Sequence, residues 1–300
     1  MEITITPKDE GRTIKEYLQN TLCLSNSLIT ILKKTAKGIT VNGSHQTVRY
    51  TLRTGDLLTI KDEDQSYSSN IVPIQMPLNI LYEDEYLIAI NKDPGIPTHP
   101  SHDHYQDSLA NGLMKYFSDK KIPFVFRACN RLDKNTSGVT LIAKNRFAAA
   151  AISAQIKEHR IHKTYLAILD GIPPGNGIIE KPIKRLQESV IQRVVCNEQD
   201  TGALYAQTQY TVLASGCGHT FVRAVPITGR THQLRVHFAS IGCPICGDFL
   251  YGEETTDISR QALHAYQLTF KHPISNTPLT LTAPLPADIK KLVQIYHFHI

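Results

Sequence analysis

The chain has 300 residues, of which 41% are hydrophobic and 20% charged, with a net charge of +5 and a pI of about 8.8. That length permits a substantial core in one or two domains, and the composition excludes a disordered chain and a fibrous repeat. No run of about 18 apolar residues occurs, so no spanning helix is expected, and the basic balance is compatible with a polyanionic partner without requiring one.

The opening stretch MEITITPKDEGRTIKEYL has early acidic residues and no apolar block before a small-residue cleavage site. It resembles neither a secretory signal nor a transit peptide, and a cytoplasmic location is expected. The six cysteines (Cys23, Cys129, Cys196, Cys217, Cys243 and Cys246) are irregularly spaced, which predicts reduced thiols rather than a disulfide framework.

Residues 1–62 read as a unit. Ile14, Tyr17, Leu18 and Leu22 recur at helical spacing after Gly11-Arg12-Thr13, and Leu28, Ile31 and Leu32 repeat the pattern after Ser25, an N-cap candidate. Strand candidates follow at Gly38–Val41, Val48–Leu52 and Leu57–Ile60, with Asn42-Gly43 and Gly55-Asp56 as turns. Lys33, Lys34 and Lys37 fall at or beyond the end of the second helix, where they would complement its dipole on a solvated face or contact phosphates. The order of helix, helix, basic turn, Val-Asn-Gly hairpin and Gly-Asp strand resembles the small alpha-L RNA-binding module shared with a small-subunit ribosomal protein. By that resemblance Lys33 and Lys34 bind RNA. Asn26 stands where the module usually has Arg, so one phosphate contact is expected to be missing.

Residues 63–78 are acidic, Ser-rich and then Pro-punctuated, the composition of a linker. From residue 79 to 300 strand-like runs (Tyr86–Ile90, Val139–Ala143, Tyr165–Leu169, Gln207–Leu213 and Thr220–Val225) alternate with helical stretches at Ser108–Phe117, Arg146–Lys157 and Thr231–Ser240. Several strands lie too close in sequence for helical crossovers. An α+β fold is therefore expected, with a mixed, largely antiparallel sheet, flanking helices and a central active-site cleft, preceded by a small α/β RNA-binding domain.

The most informative segment is Asn130-Arg131-Leu132-Asp133-Lys134-Asn135-Thr136-Ser137-Gly138, leading into an apolar strand. It puts a carboxylate on a loop at a strand entrance, a frequent place for chemistry, although Asp133 could equally cap the turn. This segment resembles the Arg-Leu-Asp signature of the pseudouridine synthases that act on ribosomal and transfer RNA. The resemblance continues in order through Asn91–Ser101 (with Asp93 as an extra residue), Lys163–Gly171, Thr228–His237, Ile241–Asp248 and Leu263-His264-Ala265.

The resemblance implies uridine-to-pseudouridine isomerisation with Asp133, Tyr165 and Arg235 as the catalytic set. In this chemistry the N1 glycosidic bond breaks, the base turns and C5 is joined to the ribose, with no net redox change or hydrolysis, so no cofactor and no metal are expected. A carboxylate suits the role as nucleophile or base. Arg235 would hold it charged in a dry pocket, and Tyr165 would stack on the detached uracil and relay the C5 proton. Arg131 is assigned to base extrusion, with Lys163 and Arg230 on the RNA backbone. Ordinary structural roles (a surface Arg on a helix, a core Tyr in a strand) are the alternatives for Arg235 and Tyr165.

His99, His102, Asp103 and His104 look like a metal cluster but have no distant ligand set. Cys243-Pro244-Ile245-Cys246 lacks a second pair, and Gly216-Cys217-Gly218-His219 reads as a hairpin turn. The expected partner is RNA, with large-subunit ribosomal RNA favoured over transfer RNA by analogy with enzymes carrying an N-terminal RNA-binding module. A monomer without membrane contact is expected. The rival readings are a non-catalytic RNA-binding or ribosome-assembly protein and a metal-dependent hydrolase using the histidines.

Overall fold

A computed structural model describes residues 1–61, 68, 70–101, 104–189 and 191–298. Residue 62, part of the expected linker (residues 63–67 and 69) and two members of the histidine cluster, His102 and Asp103, lie outside the described residues.

Strands β1 (Glu2–Thr4), β2 (Ile39–Val41), β3 (Ser44–His45) and β4 (Leu57–Ile60) form an antiparallel sheet in the order β1-β4-β2-β3. Asn42 and Gly43 adopt φ of 51° and 78°, the paired positive values of the tight turn that Asn-Gly favours. Helix α1 (Ile14–Glu16) is capped reciprocally by Thr13 and Glu16. The chain then widens into a π-turn over Tyr17–Thr21, so a continuous amphipathic α-helix does not form. The wider turn lets consecutive residues Tyr17 and Leu18 both enter the core.

Helix α2 (Asn26–Lys34) starts at Ser25, whose hydroxyl accepts from the Leu28 amide, as expected. The expected strand at Val48–Leu52 is absent. Leu52 is buried in the helix–sheet core, and the backbone here bonds with the loop and first turn of α1 (Ile14 N to Tyr50 O, Lys15 N to Val48 O, both 2.9 Å). Loop packing, rather than a sheet, takes up the apolar alternation. This core, built on Ile14, Leu18, Leu32 and Leu58, also takes in Phe147 from the following body.

The following body is a nine-stranded sheet. In chain order its strands are β5 (Ile80–Glu83), β6 (Leu87–Lys92), β7 (Ser137–Ala143), β8 (His162–Asp170), β9 (Gly177–Glu180), β12 (Gln207–Gly216), β13 (His219–Pro226), β14 (Leu263–Lys271) and β15 (Pro278–Thr282). Between β9 and β12 a separate hairpin, β10 (Ile183–Arg185) with β11 (Arg193–Val195), stands off the sheet. Spatial order is β5-β6-β7-β14-β8-β13-β12-β9, with β15 paired to β14, and the β7–β14 pairing alone is parallel. The mixed, largely antiparallel architecture matches the expectation.

Helices α3 (Leu109–Asp119), α4 (Arg146–Lys157), α5 (Gln233–Ala239) and α6 (Ala287–Ile295) complete this body. Ser108 and Asn145 cap α3 and α4 through their side chains. Among the described residues no helix is long and apolar enough to cross a membrane.

The parallel contact positions the site. Ser137 and Gly138 at the start of β7 lie beside His264 and Ala265 at the start of β14. Gly138 adopts φ 114°, and a Cβ there would fall 2.2 Å from the Ala265 carbonyl oxygen. Only glycine permits that approach, which brings the loop before β7 to the middle of the sheet.

Candidate active site

The loop before β7 is fixed before its chemistry is considered. Leu132 is buried, and the Thr98 hydroxyl both accepts from the Leu132 amide at 3.2 Å and donates to its carbonyl at 3.1 Å. The Asp133 carbonyl closes the turn by accepting from the Thr136 amide at 3.0 Å. The backbone, rather than the carboxylate, thus makes the turn.

The Asp133 side chain, 29% exposed, meets Arg235: Oδ2 lies 3.1 Å from Nη1. Arg235 comes from α5, one turn after a left-handed residue, His232, at φ 57°. Its remaining edge is occupied by the buried Asp248, with Nε and Nη2 each 2.7 Å from a carboxylate oxygen. Burial opposes the charge on Arg235, but the bonds to Asp248 and the charges of Asp248 and Asp133 hold its pKa above the ordinary value.

His232 is a third neighbour, with Nε2 3.7 Å from Asp133 Oδ2. The Tyr251 hydroxyl accepts from the Arg193 amide at 2.9 Å and lies within hydrogen-bond distance, 2.8 Å, of His232 Nδ1, which orients the ring with Nε2 toward Asp133. Burial depresses the His232 pKa, with the Asp133 charge acting the other way, so the imidazole is neutral near pH 7.

Tyr165 lies on β8, paired with Ala265 of β14 and Ala224 of β13. Burial, and then the negative charge of Asp133, push its phenol well above the usual tyrosine range. Lys163, two residues earlier on the same strand, is depressed by burial.

Asp133, Arg235, His232, Tyr165 and Lys163 line one cleft of about 870 Å³. Its cations are Arg131, Lys134, Lys163, Arg193, Arg230 and Arg235, and Asp133 is the sole carboxylate among its lining residues. Six cations around one acid suit a polyanion bearing a single reacting centre. Leu263 supplies apolar lining from the start of β14.

Of the residues singled out from sequence, Asp133, Tyr165, Arg235, Arg131, Lys163 and Arg230 all line this cleft. Arg131 is exposed, and Arg230 is tethered through Nε to the Tyr205 carbonyl at 2.9 Å. Lys33 and Lys34 are not cleft residues: they sit exposed in the last turn of α2. Among the described residues no group of three or more His, Cys, Asp or Glu is placed to hold a metal. His104 instead bonds Asp107 at 2.6 Å and lies 3.1 Å from Lys134 Nζ.

Sequence reasoning missed four contributors: Lys92, His232, Asp248 and Arg260. Arg260 is buried, pairs with Asp288 of α6, and donates through Nη1 to the carbonyls of Asn135 and Leu263 at 3.0 and 3.2 Å. One guanidinium thus ties the Asp133 turn to the Leu263 wall. Each of the four has a partner far away in the chain, and only the inclusion of Lys92, His232 and Asp248 in the family-like motifs hinted at them.

A family model described as RNA pseudouridylate synthase matches residues 86–240. An uncharacterized RNA pseudouridine synthase of Bacillus subtilis is 37% identical over 283 residues, 94% of this chain and 98% of that protein. A protein of Xanthomonas campestris named ribosomal large subunit pseudouridine synthase D is 34% identical over 271 residues, 84% of this chain and 79% of its own. Among solved structures, human RNA pseudouridylate synthase domain containing 4 superimposes with a TM-score of 0.61 at 27% identity, covering 74% of this chain and 94% of that one.

Proposed function

Because this chain belongs to the RNA pseudouridylate synthase family, we propose that it isomerises uridine through Asp133, with Arg235 and Tyr165 completing the catalytic set. The enzyme is an RNA pseudouridine synthase, an isomerase acting on RNA. The observation that carries the residue assignment is the 3.1 Å contact of Arg235 with the sole carboxylate among the residues lining a cationic cleft.

In this reading Asp133 acts beside the ribose C1′ while the bond to N1 breaks, and uracil leaves as an anion. Arg235 keeps the carboxylate charged in its partly dry setting. The freed base turns against Tyr165, with Leu263 on its other side, and C5 joins C1′. The proton lost from C5 balances the one gained at N1. Tyr165, with its phenol held protonated, accepts that proton only while passing on its own.

A uridine within folded RNA must leave its stack to reach the cleft, at a cost of a few kcal/mol. Arg131, exposed at the rim, fills the vacated stack or holds the flipped backbone, while Lys163 and Arg230 contact phosphates. Residues 1–62 form an RNA-binding domain joined to a catalytic domain of residues 79–300, and Lys33 and Lys34 add backbone contacts. Large-subunit ribosomal RNA is the substrate favoured, since several relatives bear that designation. The protein works as a cytoplasmic monomer without a cofactor.

Release of tritium from RNA carrying 5-tritiated uridine, without added metal, tests the assignment. Asp133→Asn should abolish release. Full activity in that variant removes Asp133 from its role.

A further inference from the structure

We propose that helix α4 is a strut between the N-terminal unit and the catalytic cleft, with Phe147 as its anchor, and that the protein selects its uridine by a fixed separation from a second folded segment of the same RNA. The inference rests on the RNA-binding role given above to residues 1–62 and deepens it.

Helix α4 is apolar on two faces. Ala148 and Ile152, one turn apart, pack beneath the large sheet with Leu141 and Phe270. Phe147 and Ala150, three positions apart and so neighbours on the helix surface, instead join the core built on Ile14, Leu18 and Leu32. Phe147 is 4% exposed there, so the N-terminal unit covers a ring that would otherwise stand in water on the outside of the body.

The same core fixes the basic end of α2. Leu28, Ile29 and Leu32 bury one face of α2 in the core that holds Phe147, and Lys33 and Lys34 stand exposed in its last turn. Toward the other end of α4, Ile156 is 36% exposed and lines the cleft that contains Asp133. Phe147 and Ile156 are nine positions apart on one helix, about 14 Å along its axis. One rigid element therefore runs from the core beneath the lysines to the wall of the cleft.

The connection between the two bodies is short. The Lys61 amide donates to the Gly38 carbonyl at 3.0 Å within the N-terminal unit. From Ser68 onward the chain is already held by the body: the Phe126 amide donates to Ser68 Oγ at 3.1 Å, Asn111 Nδ2 donates to the Val72 carbonyl at 2.8 Å, and Ile71 is buried in the core of α3. Lys61 and Ser68 are seven positions apart, so the chain keeps them within about 25 Å. So short a tie holds the N-terminal unit at high effective concentration beside α4, and burial of one ring then suffices to close the contact. A groove of about 980 Å³ flanks the contact, lined by Leu22 and Cys23 on one side and by Ala151 and Gln155 on the other. The docked surface is therefore narrow, and one substitution in it releases the unit.

Docking sets the position of both contacts before RNA arrives. An RNA whose target uridine and second folded segment match that separation gains both contacts, and one that does not gains a single contact. Phe147 is thus a positioning residue that acts through Lys33 and Lys34 and touches no RNA itself.

Single-turnover tritium release is measured with enzyme in excess over total RNA from cells that lack the protein, labelled with 5-tritiated uridine. Phe147→Asp should raise the half-saturating enzyme concentration about tenfold while leaving the plateau rate within about twofold, and Phe147→Leu should restore it. Ala150→Glu, on the same face of α4, is measured alongside in case Phe147→Asp folds poorly, and the same shift is expected. The pair Lys33→Gln, Lys34→Gln should raise half-saturation in the wild-type background and change it by less than about twofold in the Phe147→Asp background, because the two changes act on one coupled contact. NMR relaxation should give residues 1–61 and the large sheet one tumbling time in the wild type and two in Phe147→Asp.

Two tumbling times in the wild type, or an equal effect of the lysine pair in both backgrounds, overturns the proposal. A plateau rate that falls with half-saturation unmoved would restrict Phe147 to the folding of the body and overturns it as well. A lysine pair without effect in the wild type would instead overturn the RNA-binding reading of residues 1–62 and this inference with it, and is told apart because it is read with Phe147 intact.

Discussion

The Lys92 ammonium donates to the carbonyl of Lys134, 2.9 Å away, and so ties the end of β6 to the residue that follows Asp133. The same nitrogen reaches the carbonyls of Asp93 and Ile96 at 2.9 and 2.8 Å, and the side chain is 1% exposed. Three N–H groups thus meet three carbonyls on two loops that edge the cleft. No carboxylate is bonded to this cation within the cage, which explains why its charge is costly.

Burial, then repulsion by Arg260, lowers the Lys92 pKa to about 7, with Asp133 and Asp93 acting in the opposite direction. An unfolded lysine titrates near ~10.4. Between those two values the unfolded chain holds the extra proton, so the Lys92 contribution to stability improves as pH rises, by up to ~1.4 kcal/mol per unit. Urea unfolding of wild type and Lys92→Met at pH 7 and pH 9 should show the wild type gaining about 2 kcal/mol relative to the variant at the higher pH. A difference independent of pH would contradict this titration.

The contrast between Lys92 and Asp133 shows what sequence could and could not reveal. Hairpins at Asn42-Gly43 and Cys217-Gly218, the cap at Ser25 and the span of α4 were legible because each is decided within a few residues. The Asp133 loop was legible through its motif. Lys92 and Asp248 fall within family-like motifs, but nothing near them in the sequence shows what they bond. Their roles depend on Lys134, 42 positions away, and on a guanidinium 13 positions away. The same reasoning explains the false strand at Val48–Leu52, where Leu52 is buried but the backbone bonds with a loop and not with a neighbouring strand.

Behind the Asp133 turn, His264 gives a pH dependence of the same sign in a more acidic window. It is fully buried, Nε2 donates to the Ala283 carbonyl at 3.2 Å, and Nδ1 accepts from the Ser137 hydroxyl at 2.9 Å. Burial lowers its pKa to about 4 from 6.5, outweighing the Ala283 bond. The folded value is depressed, so its stabilisation is present above the unfolded value and is lost as pH falls toward the folded one. Between pH 7 and pH 4.5 that loss is about 2 kcal/mol. His264→Gln, compared with wild type by urea unfolding at those two pH values, should lose correspondingly less on acidification; equal losses would show that His264 does not titrate on unfolding.

Tyr165 separates surface from proton transfer. Because burial and Asp133 hold the phenol protonated, removing its hydroxyl leaves the flat ring in place. Tyr165→Phe should bind RNA within about twofold of wild type and lose about 100-fold in single-turnover rate, the lower range for a positioned acid–base group. Tyr165→Ala should weaken both. A Phe variant with full rate would restrict Tyr165 to stacking.

Deletion of residues 1–62 tests the proposed division of labour, and Phe147 decides how its result is read. Phe147 is 4% exposed on α4 yet packs into the N-terminal core, whereas Ala148 and Ile152 of the same helix pack beneath the large sheet. Truncation therefore uncovers one aromatic ring without opening the core behind the catalytic cleft, and burial of such a side chain is worth ~1.5–3 kcal/mol. The truncated chain should stay folded by circular dichroism, self-associate more than the full chain, and regain solubility with Phe147→Ser. If Lys33 and Lys34 neutralise phosphates, its RNA affinity should fall less steeply with salt, the log–log slope shrinking by about one for each phosphate no longer neutralised. An unchanged slope would take those lysines out of the RNA interface, and an unfolded product would show that the two cores are one cooperative unit joined through Phe147.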